Sequence, residues 1–437
     1  MTGEPTFAAP AGTFIGWRDH EVVRATGIRY ARAERYAPPT PEPDGGEIRA
    51  DRPAPACPQE QTERERELIG PILDGLGMSE DCLRLSITRP ANSAADLPVM
   101  VWIHGGSYVH GAGDAPVYDP ALLVVEQQVI GVNVTFRLGR LGFLGADQDP
   151  PANLGLLDIQ EALRWLQRNV SAFGGDPAKI TMYGESAGAD AIAHLMIAEG
   201  STGLFHRAIL QSTPLGLSRN RAEMSAAMLA ASRSHDPDGP VEELVRTQPE
   251  VLEPARKFGL RGTMAFGVQY GQHPMPPEAD VDAAWRAVAR EYDVLIGANA
   301  REAALFLESI PRKPLPFRMP VVGRVTSWIF ITLLSWIVYR RPVACFAKRH
   351  RAGGGKVATY LLTWGPKGSK YRAAHTLDIP LLLGTPQWWA RNQLIAGMSD
   401  EQLATDGRRM REIWGRFARS GQVDAVDLPG LIKIKTR

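Results

Sequence analysis

Residues 181–191 read TMYGESAGADA, which places Ser186 between Gly184 and Gly188. A serine hydroxyl can attack an acyl carbonyl when a sharp strand-to-helix turn exposes it and small neighbours leave room for the backbone. The preceding KITMY is apolar and partly β-branched, as in a buried strand, and the segment after Ser186 is rich in helix formers. The pattern predicts a nucleophile at Ser186. The alternative is a helix that begins with small residues packed closely on a sheet.

The elements that must position such a serine alternate along the chain from residue 80 onward. Residues 156–170 have apolar positions at helical spacing. Apolar, strand-like runs occur at 98–103, 129–136, 179–183, 207–212, 293–299 and 356–363. Strands alternating with helices predict an α/β protein whose mostly parallel central sheet is covered by helices on both faces.

Two stretches, about 218–292 and 305–352, lack strong strand patterns and read as helices. Open α/β sheets bind their ligands outside the carboxyl ends of the strands. We therefore expect a single domain over 1–437 in which these two stretches are helical insertions that form pocket walls over the active site.

Composition and charge argue against several classes of partner. The 437 residues carry a formal net charge of +1, which gives no electrostatic reason to expect nucleic acid or an anionic membrane. The N-terminus lacks a basic start followed by an apolar run, so we expect no signal peptide and a cytoplasmic protein, with secretion as the alternative. The apolar run 325–339 is shorter than the ~20 residues that a membrane span needs, and it predicts a helix that packs against the sheet or borders the pocket.

Several segments taken together resemble the type-B carboxylesterase family, the cholinesterase-like branch of the α/β hydrolases. They run in the family's order to residue 384, and FGGDP followed by GESAG is a highly specific combination. The resemblance implies the α/β-hydrolase fold, with no cofactor and no metal. The matching segments are GIRYARAERYAPP (27–39), SEDCLRL (79–85), VWIHGG (101–106), FRLGRLGFLG (136–145), the run 153–189, ILQS (209–212), LIGANAREAALF (295–306) and AAHTLDIPLLLG (373–384).

In α/β hydrolases the catalytic residues follow the chain order serine, acid, histidine. Only His350 and His375 follow a plausible acid; His350 lies in the basic run KRHR, typical of a solvated helix face, whereas His375 lies in a loop and matches the family's histidine. Glu302, just past the strand 293–299, matches the family's acid and would hold the imidazole Nδ1–H. The alternative is that Glu302 only charges the start of a helix.

Three other carboxylates between Ser186 and His375 fit the acid less well. Asp282 sits in a helical pattern, where a charge is usually solvated. Asp293 precedes its strand and so lies at the wrong end of it, and Glu308 lies about a turn and a half beyond Glu302 on a different face of the helix.

The resemblance also implies donors for a developing oxyanion. These are the backbone N–H groups of Gly106 and Ser107 in HGGS, and of Ala187 after the nucleophile, with Gly105 shaping the turn. His104 precedes the acid in the chain, and we expect it to hold this loop by hydrogen bonds.

Four further side chains take supporting roles by resemblance. Glu185 resembles the family residue that tunes pocket electrostatics, and Ser212 resembles a buried hydroxyl near the acid–histidine pair. Each also fits simple hydrogen bonding at a strand end. The resemblance implies a disulfide between Cys57 and Cys82, although a reducing cytosol would keep both thiols open. FGVQYG at 266–271 departs from the family's usual residues, which bears on the shape of the pocket.

Together these residues predict a serine carboxylesterase that hydrolyses a small-molecule ester through an acyl-enzyme. An amidase, a carbamate hydrolase or a thioesterase stays open, because the mechanism is shared and only the leaving group differs. The alternative from another class is a non-catalytic cholinesterase-like binding domain. Such domains typically lose a catalytic residue, and this sequence keeps all three.

Overall fold

The computed structural model describes residues 3–61, 63–92, 94–146, 150–308, 310, 314–390 and 392–436. Its strands are β1 Thr6–Ala9, β2 Gly12–Ile15, β3 Trp17–Asp19, β4 Val22–Arg29, β5 Ala31–Arg32, β6 Thr40–Pro41, β7 Glu47–Arg49, β8 Arg84–Pro90, β9 Leu97–Ile103, β10 Ile130–Val134, β11 Gly175–Glu185, β12 Arg207–Gln211, β13 Asp293–Asn299, β14 Val357–Leu362, β15 Val426–Leu428 and β16 Ile432–Thr436. Its α-helices are α1 Glu63–Ile69, α2 Ala121–Gln127, α3 Gly139–Phe143, α4 Leu154–Asn169, α5 Ala187–Leu195, α6 Ala222–Ser232, α7 Val241–Arg246, α8 Gln248–Leu252, α9 Val281–Ala287, α10 Ala304–Glu308, α11 Leu315–Arg318, α12 Pro320–Ser335, α13 Arg341–Ala352, α14 Ile379–Leu382, α15 Pro386–Trp389 and α16 Asp400–Ser420.

One sheet of 11 strands organises the chain, in the order β15-β16-β14-β13-β12-β11-β9-β10-β8-β4-β3. The six strands from β14 to β10 in this order run parallel to one another, and the strands at both edges are antiparallel. These six are the strands that the apolar runs predict, so the expectation of a mostly parallel sheet is confirmed. Because parallel neighbours end on the same side, the loops after β9, β11, β12, β13 and β14 converge there.

The sheet is buried on both faces. Along β9, Val99, Val101 and Ile103 belong to one apolar core, whereas Met100 and Trp102 belong to the other. This alternation follows from the two-residue period of a strand, and it requires apolar helices on each side. The first core includes side chains of α4 and α5, and the second includes side chains of α2 and α16. The strand between them is therefore held rigidly up to its carboxyl end.

The two stretches predicted to be helical are helical where they are described. Residues 222–291 contain α6 to α9 and three 3₁₀ segments, and residues 304–352 contain α10 to α13. The first stretch packs on α5: the Trp285 indole donates to the carbonyl of Ala193 at 2.7 Å, and the His194 ring contacts the Tyr270 hydroxyl at 2.7 Å. We expected it to wall the pocket, but it covers the helix behind Ser186 instead.

The apolar run 325–339 belongs to one long helix, Val321–Ala352, with a π-helical turn at Trp336–Arg340. By length and composition alone this helix could cross a membrane. Its second half packs on the fold, with Val343 and Phe346 buried, but its first half is largely exposed. The run was expected to pack against the sheet or to border the pocket. Ile331, Ser335, Val338 and Tyr339 are buried, and the Tyr339 ring lies 5.2 Å from that of His375. The expectation is wrong for the side of the helix that carries Val325, Trp328, Ile329, Leu333 and Trp336, which is exposed.

Candidate active site

Ser186 occupies the turn between β11 and α5 in a strained backbone conformation, with φ 56° and ψ −123°. A non-glycine residue adopts such a conformation only when its surroundings hold it there. Here the Ser186 N–H donates to the carbonyl of Gln211 at 2.9 Å, and its own carbonyl accepts the Asp190 N–H at 2.9 Å. The turn is thus tied to β12 on one side and to the first turn of α5 on the other, as the strand-turn-helix prediction requires.

The two glycines of the motif are explained by the close approach of β9. A Cβ atom at Gly188 would lie 2.0 Å from the carbonyl oxygen of Ile103, and one at Gly184 would lie 2.6 Å from the same oxygen. Any larger residue at either position would push the turn away from β9. The spacing of small residues around Ser186 therefore reflects packing as well as chemistry.

Glu302 and His375 form a buried pair. Glu302 follows β13, His375 follows β14, and the Glu302 Oε2 lies 2.7 Å from the His375 Nδ1, which donates to it. The other carboxylate oxygen accepts the Asn299 N–H at 2.6 Å, and this hydrogen bond fixes the orientation of the carboxylate toward the ring. A carboxylate held in this way sets the imidazole tautomer and leaves Nε2 as the reactive nitrogen.

The competing acids do not occupy this position. Asp282 binds Arg219 and Arg349 at the surface, and Asp293 lies at the start of β13 beside Arg207 and Lys356. The side chain of Glu308 lies outside the described part of the chain. His350 is buried rather than solvated, because its Nε2 donates to the carbonyl of Tyr292 at 3.0 Å.

Glu185 faces the other nitrogen of the histidine. Its Oε1 lies 3.1 Å from the His375 Nε2, although the two are not aligned as a hydrogen bond. Burial raises the pKa of Glu185 to about 8. Burial alone would lower the pKa of His375, but the charges of Glu185 and Glu302 outweigh it and raise that pKa to about 9. The protonated form of His375 is therefore stabilised, and the ring becomes available as a base as the pH rises toward that pKa.

The HGGS loop lies directly over the nucleophile. Gly106 and Ser107 have positive φ values of 100° and 56°, and both line the same cavity as Ser186 and His375. In the described part of the chain, neither N–H donates to a protein acceptor. Ala187 follows Ser186 as the first residue of α5, where a backbone N–H has no partner within the helix. These three N–H groups are thus available to an anion.

Gly105 and His104 shape this loop from behind. A Cβ atom at Gly105 would lie 2.8 Å from a carboxylate oxygen of Glu185 and 3.2 Å from the Cβ of Ser186, so only glycine lets the loop come this close. The His104 Nδ1 donates to the Gly105 carbonyl at 2.9 Å, which agrees with the expected structural role. Burial lowers the pKa of His104 to about 4, so this ring stays neutral.

Ser212 directly follows β12, has a φ of 49° and is fully buried. Its N–H donates to the Gly297 carbonyl at 2.9 Å, and its hydroxyl has no hydrogen-bond partner among the described residues. The side chain that does connect this strand to the catalytic region is the preceding one. Gln211 donates to Asp378 at 2.5 Å and accepts from the Trp414 indole at 3.0 Å. Sequence reasoning missed this network.

A second missed residue is Asp190, one turn into α5. It is buried and accepts hydrogen bonds from the Tyr108 hydroxyl at 2.7 Å and from the Ser218 hydroxyl at 2.7 Å. Tyr108 follows the HGGS residues, so Asp190 ties the oxyanion loop to the helix of the nucleophile. The only sequence signal for this role is a charged residue four positions after Ser186 in an otherwise apolar helix.

The cavity beside Ser186 has a volume of about 260 Å³. Most of its wall is apolar, and the residues that line it come from 61–72, 106–118, 185–186, 305–306 and 375–389. None of them lies in 218–292, and only two lie in 305–352. Among the described residues, no cluster of histidine, cysteine, aspartate or glutamate is arranged to hold a metal ion.

Cys57 and Cys82 are both buried and close together, but both are free thiols in the structure. The pKa of the Cys82 thiol is raised above its ordinary value by its hydrogen bond with Cys57 and by burial. The Cys57 sulfur also accepts the Leu138 N–H at 3.3 Å. The disulfide that the resemblance implies is therefore not formed here, and hydrogen bonds take its place.

Comparison with known proteins gives a consistent picture. A sequence model of the carboxylesterase family matches residues 5–318. The chain is 33% identical to a probable N-octanoylanthranilate hydrolase of Rhodococcus erythropolis over 96% of this chain and 93% of that protein. It is 31% identical to the para-nitrobenzyl esterase of Bacillus subtilis over 80% of this chain and 77% of that protein.

Among solved structures, a thermophilic PNB esterase superposes with a TM-score of 0.79 at 26% identity, covering 99% of this chain and 98% of that chain. The shared fold and the family match over most of the length agree with one another. The chain belongs to the carboxylesterase family and is a carboxylic ester hydrolase with the α/β-hydrolase fold.

Proposed function

We propose that the chain hydrolyses neutral, apolar carboxylic esters with Ser186 as nucleophile, His375 as general base and Glu302 as the acid that orients the base. The observation that carries the assignment is the 2.7 Å contact between Glu302 and His375 beside a cavity that Ser186 also lines. The other carboxylates considered lie at the surface, at the wrong strand end or outside the described part.

The reaction proceeds in two halves. The Ser186 Oγ attacks the ester carbonyl carbon, and its proton passes to the His375 Nε2. The carbonyl oxygen becomes an oxyanion that accepts hydrogen bonds from the N–H groups of Gly106, Ser107 and Ala187. The imidazolium then protonates the departing alkoxide, and the acyl-enzyme remains. His375 next takes a proton from water, whose oxygen attacks the acyl carbon, and the acid leaves as the Ser186 proton returns.

Glu185 supports this cycle through charge. Its carboxylate approaches the His375 Nε2, the nitrogen that gains the proton in each half of the reaction. Burial raises the pKa of Glu185, and the charge of Glu185 raises the pKa of His375, so the two groups titrate as one coupled pair. Glu185 therefore acts as a positioning residue that sets the pH range in which His375 can act as a base.

The cavity wall favours substrates without charge. Leu68, Ile72, Leu305, Phe306 and Trp389 supply much of its surface, and no lysine or arginine is among its described lining residues. A carboxylate or phosphate held against this apolar wall would lose its hydration with no lysine or arginine beside it to compensate. An apolar acyl or alcohol group gains from burial instead.

A panel of p-nitrophenyl esters of increasing acyl length, with a hemisuccinate ester as the charged counterpart, tests this proposal. We expect kcat/KM to rise with the first added methylenes. For the hemisuccinate we expect kcat/KM to be at least tenfold lower, which corresponds to a free-energy difference of about 1.4 kcal/mol. The S186A variant is the control for background hydrolysis. Preference for the charged ester would refute the assigned substrate class.

An amide is the second candidate for the scissile bond, because the relative from Rhodococcus erythropolis is named for an N-acylanthranilate. The nucleophile, base and oxyanion donors would act in the same way, and only the leaving amine differs. An octanoyl anilide beside the matching octanoyl phenyl ester separates the two. Comparable kcat/KM for both would assign amidase activity to this site.

A further inference from the structure

The first half of the long helix carries a strongly apolar and exposed surface. Val321, Val325, Trp328, Ile329, Leu333 and Trp336 project from it, and we call this set the apolar ridge. Their exposed fractions range from 47% for Trp336 to 73% for Val321. The positions recur at intervals of three, four and seven residues, so they share one side of the helix. Such a contiguous patch on a protein surface marks a contact with something apolar.

The ridge cannot be part of a membrane span in this fold. The strands on either side of it in the chain, β13 and β14, pair directly in parallel, with Asn299 opposite Leu362. A single crossing would place these two strands on opposite sides of a bilayer. The exposed part, 321–336, is also shorter than the ~20 residues that a span needs. A helix anchored at both ends to one sheet can only lie on a surface or dip into it.

The segment that carries the ridge has charge of one sign. From residue 309 to residue 377 the sequence contains lysine and arginine but no aspartate or glutamate. Arg318, Arg324, Arg340 and Arg341 are exposed on the helical segment itself, and none forms an ion pair with a described acidic residue. The guanidinium of Arg341 lies 5.6 Å from the ring centre of Trp336. The net charge of +1 for the whole chain conceals this segregation.

We propose that the apolar ridge docks on the surface of an anionic phospholipid bilayer. Tryptophan and aliphatic side chains flanked by arginine, in a segment without acidic residues, are what an interfacial helix uses to enter the headgroup region. A second copy of the chain fits less well. A symmetric pair would bring two arginine-rimmed ridges together, and this segment has no carboxylate to compensate them.

The docking surface is continuous with the catalytic cavity. The Ala303 N–H, beside the acid, donates to the Ser335 hydroxyl on α12 at 3.1 Å. Phe306 lines the cavity, is itself 38% exposed, and its ring lies 5.3 Å from that of His375. Docking would therefore bring the cavity close to the lipid, so that esters dissolved in the bilayer reach Ser186 directly. This consequence rests on the proposed function, whereas the docking itself does not.

Sedimentation of the full-length protein with vesicles tests the proposal. One vesicle type is phosphatidylcholine alone, and the other is phosphatidylcholine mixed with phosphatidylglycerol. The wild type should sediment with the mixed vesicles and release at high salt. The R318Q/R324Q variant should bind them about 25-fold more weakly, at roughly fivefold per basic residue near the surface. The W328S/I329S variant should lose at least tenfold on the same vesicles.

Matched controls keep the result interpretable. R18Q/R52Q removes two exposed arginines elsewhere, and L122S/L260S removes two exposed leucines elsewhere. Both should bind vesicles as the wild type does. All variants should hydrolyse a short soluble ester at the wild-type rate, which verifies that they are folded.

Three outcomes would overturn the docking proposal. They are a wild type that stays in solution with both vesicle types, ridge variants that bind as the wild type does, and a wild-type dimer that W328S/I329S converts to a monomer without any vesicle binding. Vesicle binding is measured without substrate. A protein that binds vesicles but hydrolyses no ester would therefore count against the proposed function alone.

Discussion

Replacing Glu185 with glutamine should shift the pH dependence of catalysis toward acid. The two side chains have the same shape, so the change removes a charge 3.1 Å from the His375 Nε2 and little else. His375 can act as a base only when neutral, so kcat/KM falls as the pH drops below its pKa. The carboxylates raise that pKa, and losing one of them must lower it.

The size of the shift follows from the separation of the charges. Two unit charges 3.1 Å apart interact by about 5 kcal/mol at an effective dielectric constant of ~20. Glu185 is itself protonated over part of the range, since its pKa is about 8, so only a fraction of this energy acts on the histidine. Even a third of it, about 1.7 kcal/mol, exceeds the 1.36 kcal/mol that corresponds to one pH unit. We expect the midpoint of the acid limb to fall by at least about one unit.

The assay is kcat/KM for a soluble p-nitrophenyl ester in buffers of constant ionic strength. The wild-type midpoint should lie above the ~6.5 of an unperturbed histidine. The matched control is E243Q, which removes an exposed carboxylate of the helical insertion and should leave the profile unchanged. A midpoint for E185Q equal to or above that of the wild type would refute the assigned electrostatic role.

Three further predictions concern other parts of the site. Glu302→Gln should lower kcat by about 10²–10⁴ with little change in KM, because glutamine cannot compensate the charge of the imidazolium. Asp293→Asn should lower kcat by less than about tenfold. A larger loss of kcat for Asp293→Asn than for Glu302→Gln in steady-state kinetics would contradict the assigned acid. Tyr108→Phe should lower the free energy of unfolding by about 1–3 kcal/mol in urea titration, because a buried carboxylate loses a donor, and an unchanged midpoint would contradict this. Intact mass after alkylation in denaturant without reductant should count Cys57 and Cys82 as free thiols, and a mass two hydrogens lower that resists alkylation would show that they pair.

The sequence predicts those parts of the site that follow from local pattern. The six central strands are apolar runs, so their parallel direction follows from alternation with helices, whereas their order in the sheet does not. Ser186 and its two glycines form a motif that is visible in the sequence. The motif arises because β9 passes so close to both glycine positions that no larger residue fits there. The edge strands β3, β4, β8, β15 and β16 were not predicted, because charged residues interrupt the apolar residues in each of them.

Contacts between distant segments escape sequence reasoning for a physical reason. Asp190 meets Tyr108 and Ser218 only because α5, the HGGS loop and the chain after β12 converge in space. Gln211 and Asp378 likewise meet only through the fold. Nor can apolar periodicity tell which side of a helix another element covers. The run 325–339 therefore looked like a packed helix, although its first half is exposed.

The most direct test of the account is covalent labelling with an organophosphate. The reagent phosphorylates only a serine activated by a neighbouring base, and the adduct resembles the acyl-enzyme. The account predicts one adduct per chain on the wild type, located on the peptide that contains Ser186, with loss of activity in proportion to labelling. The S186A variant should remain folded, take up no label and show turnover lower by about 10⁴ or more. Stoichiometric labelling of S186A, or an adduct on any other serine of the wild type, would contradict the central claim.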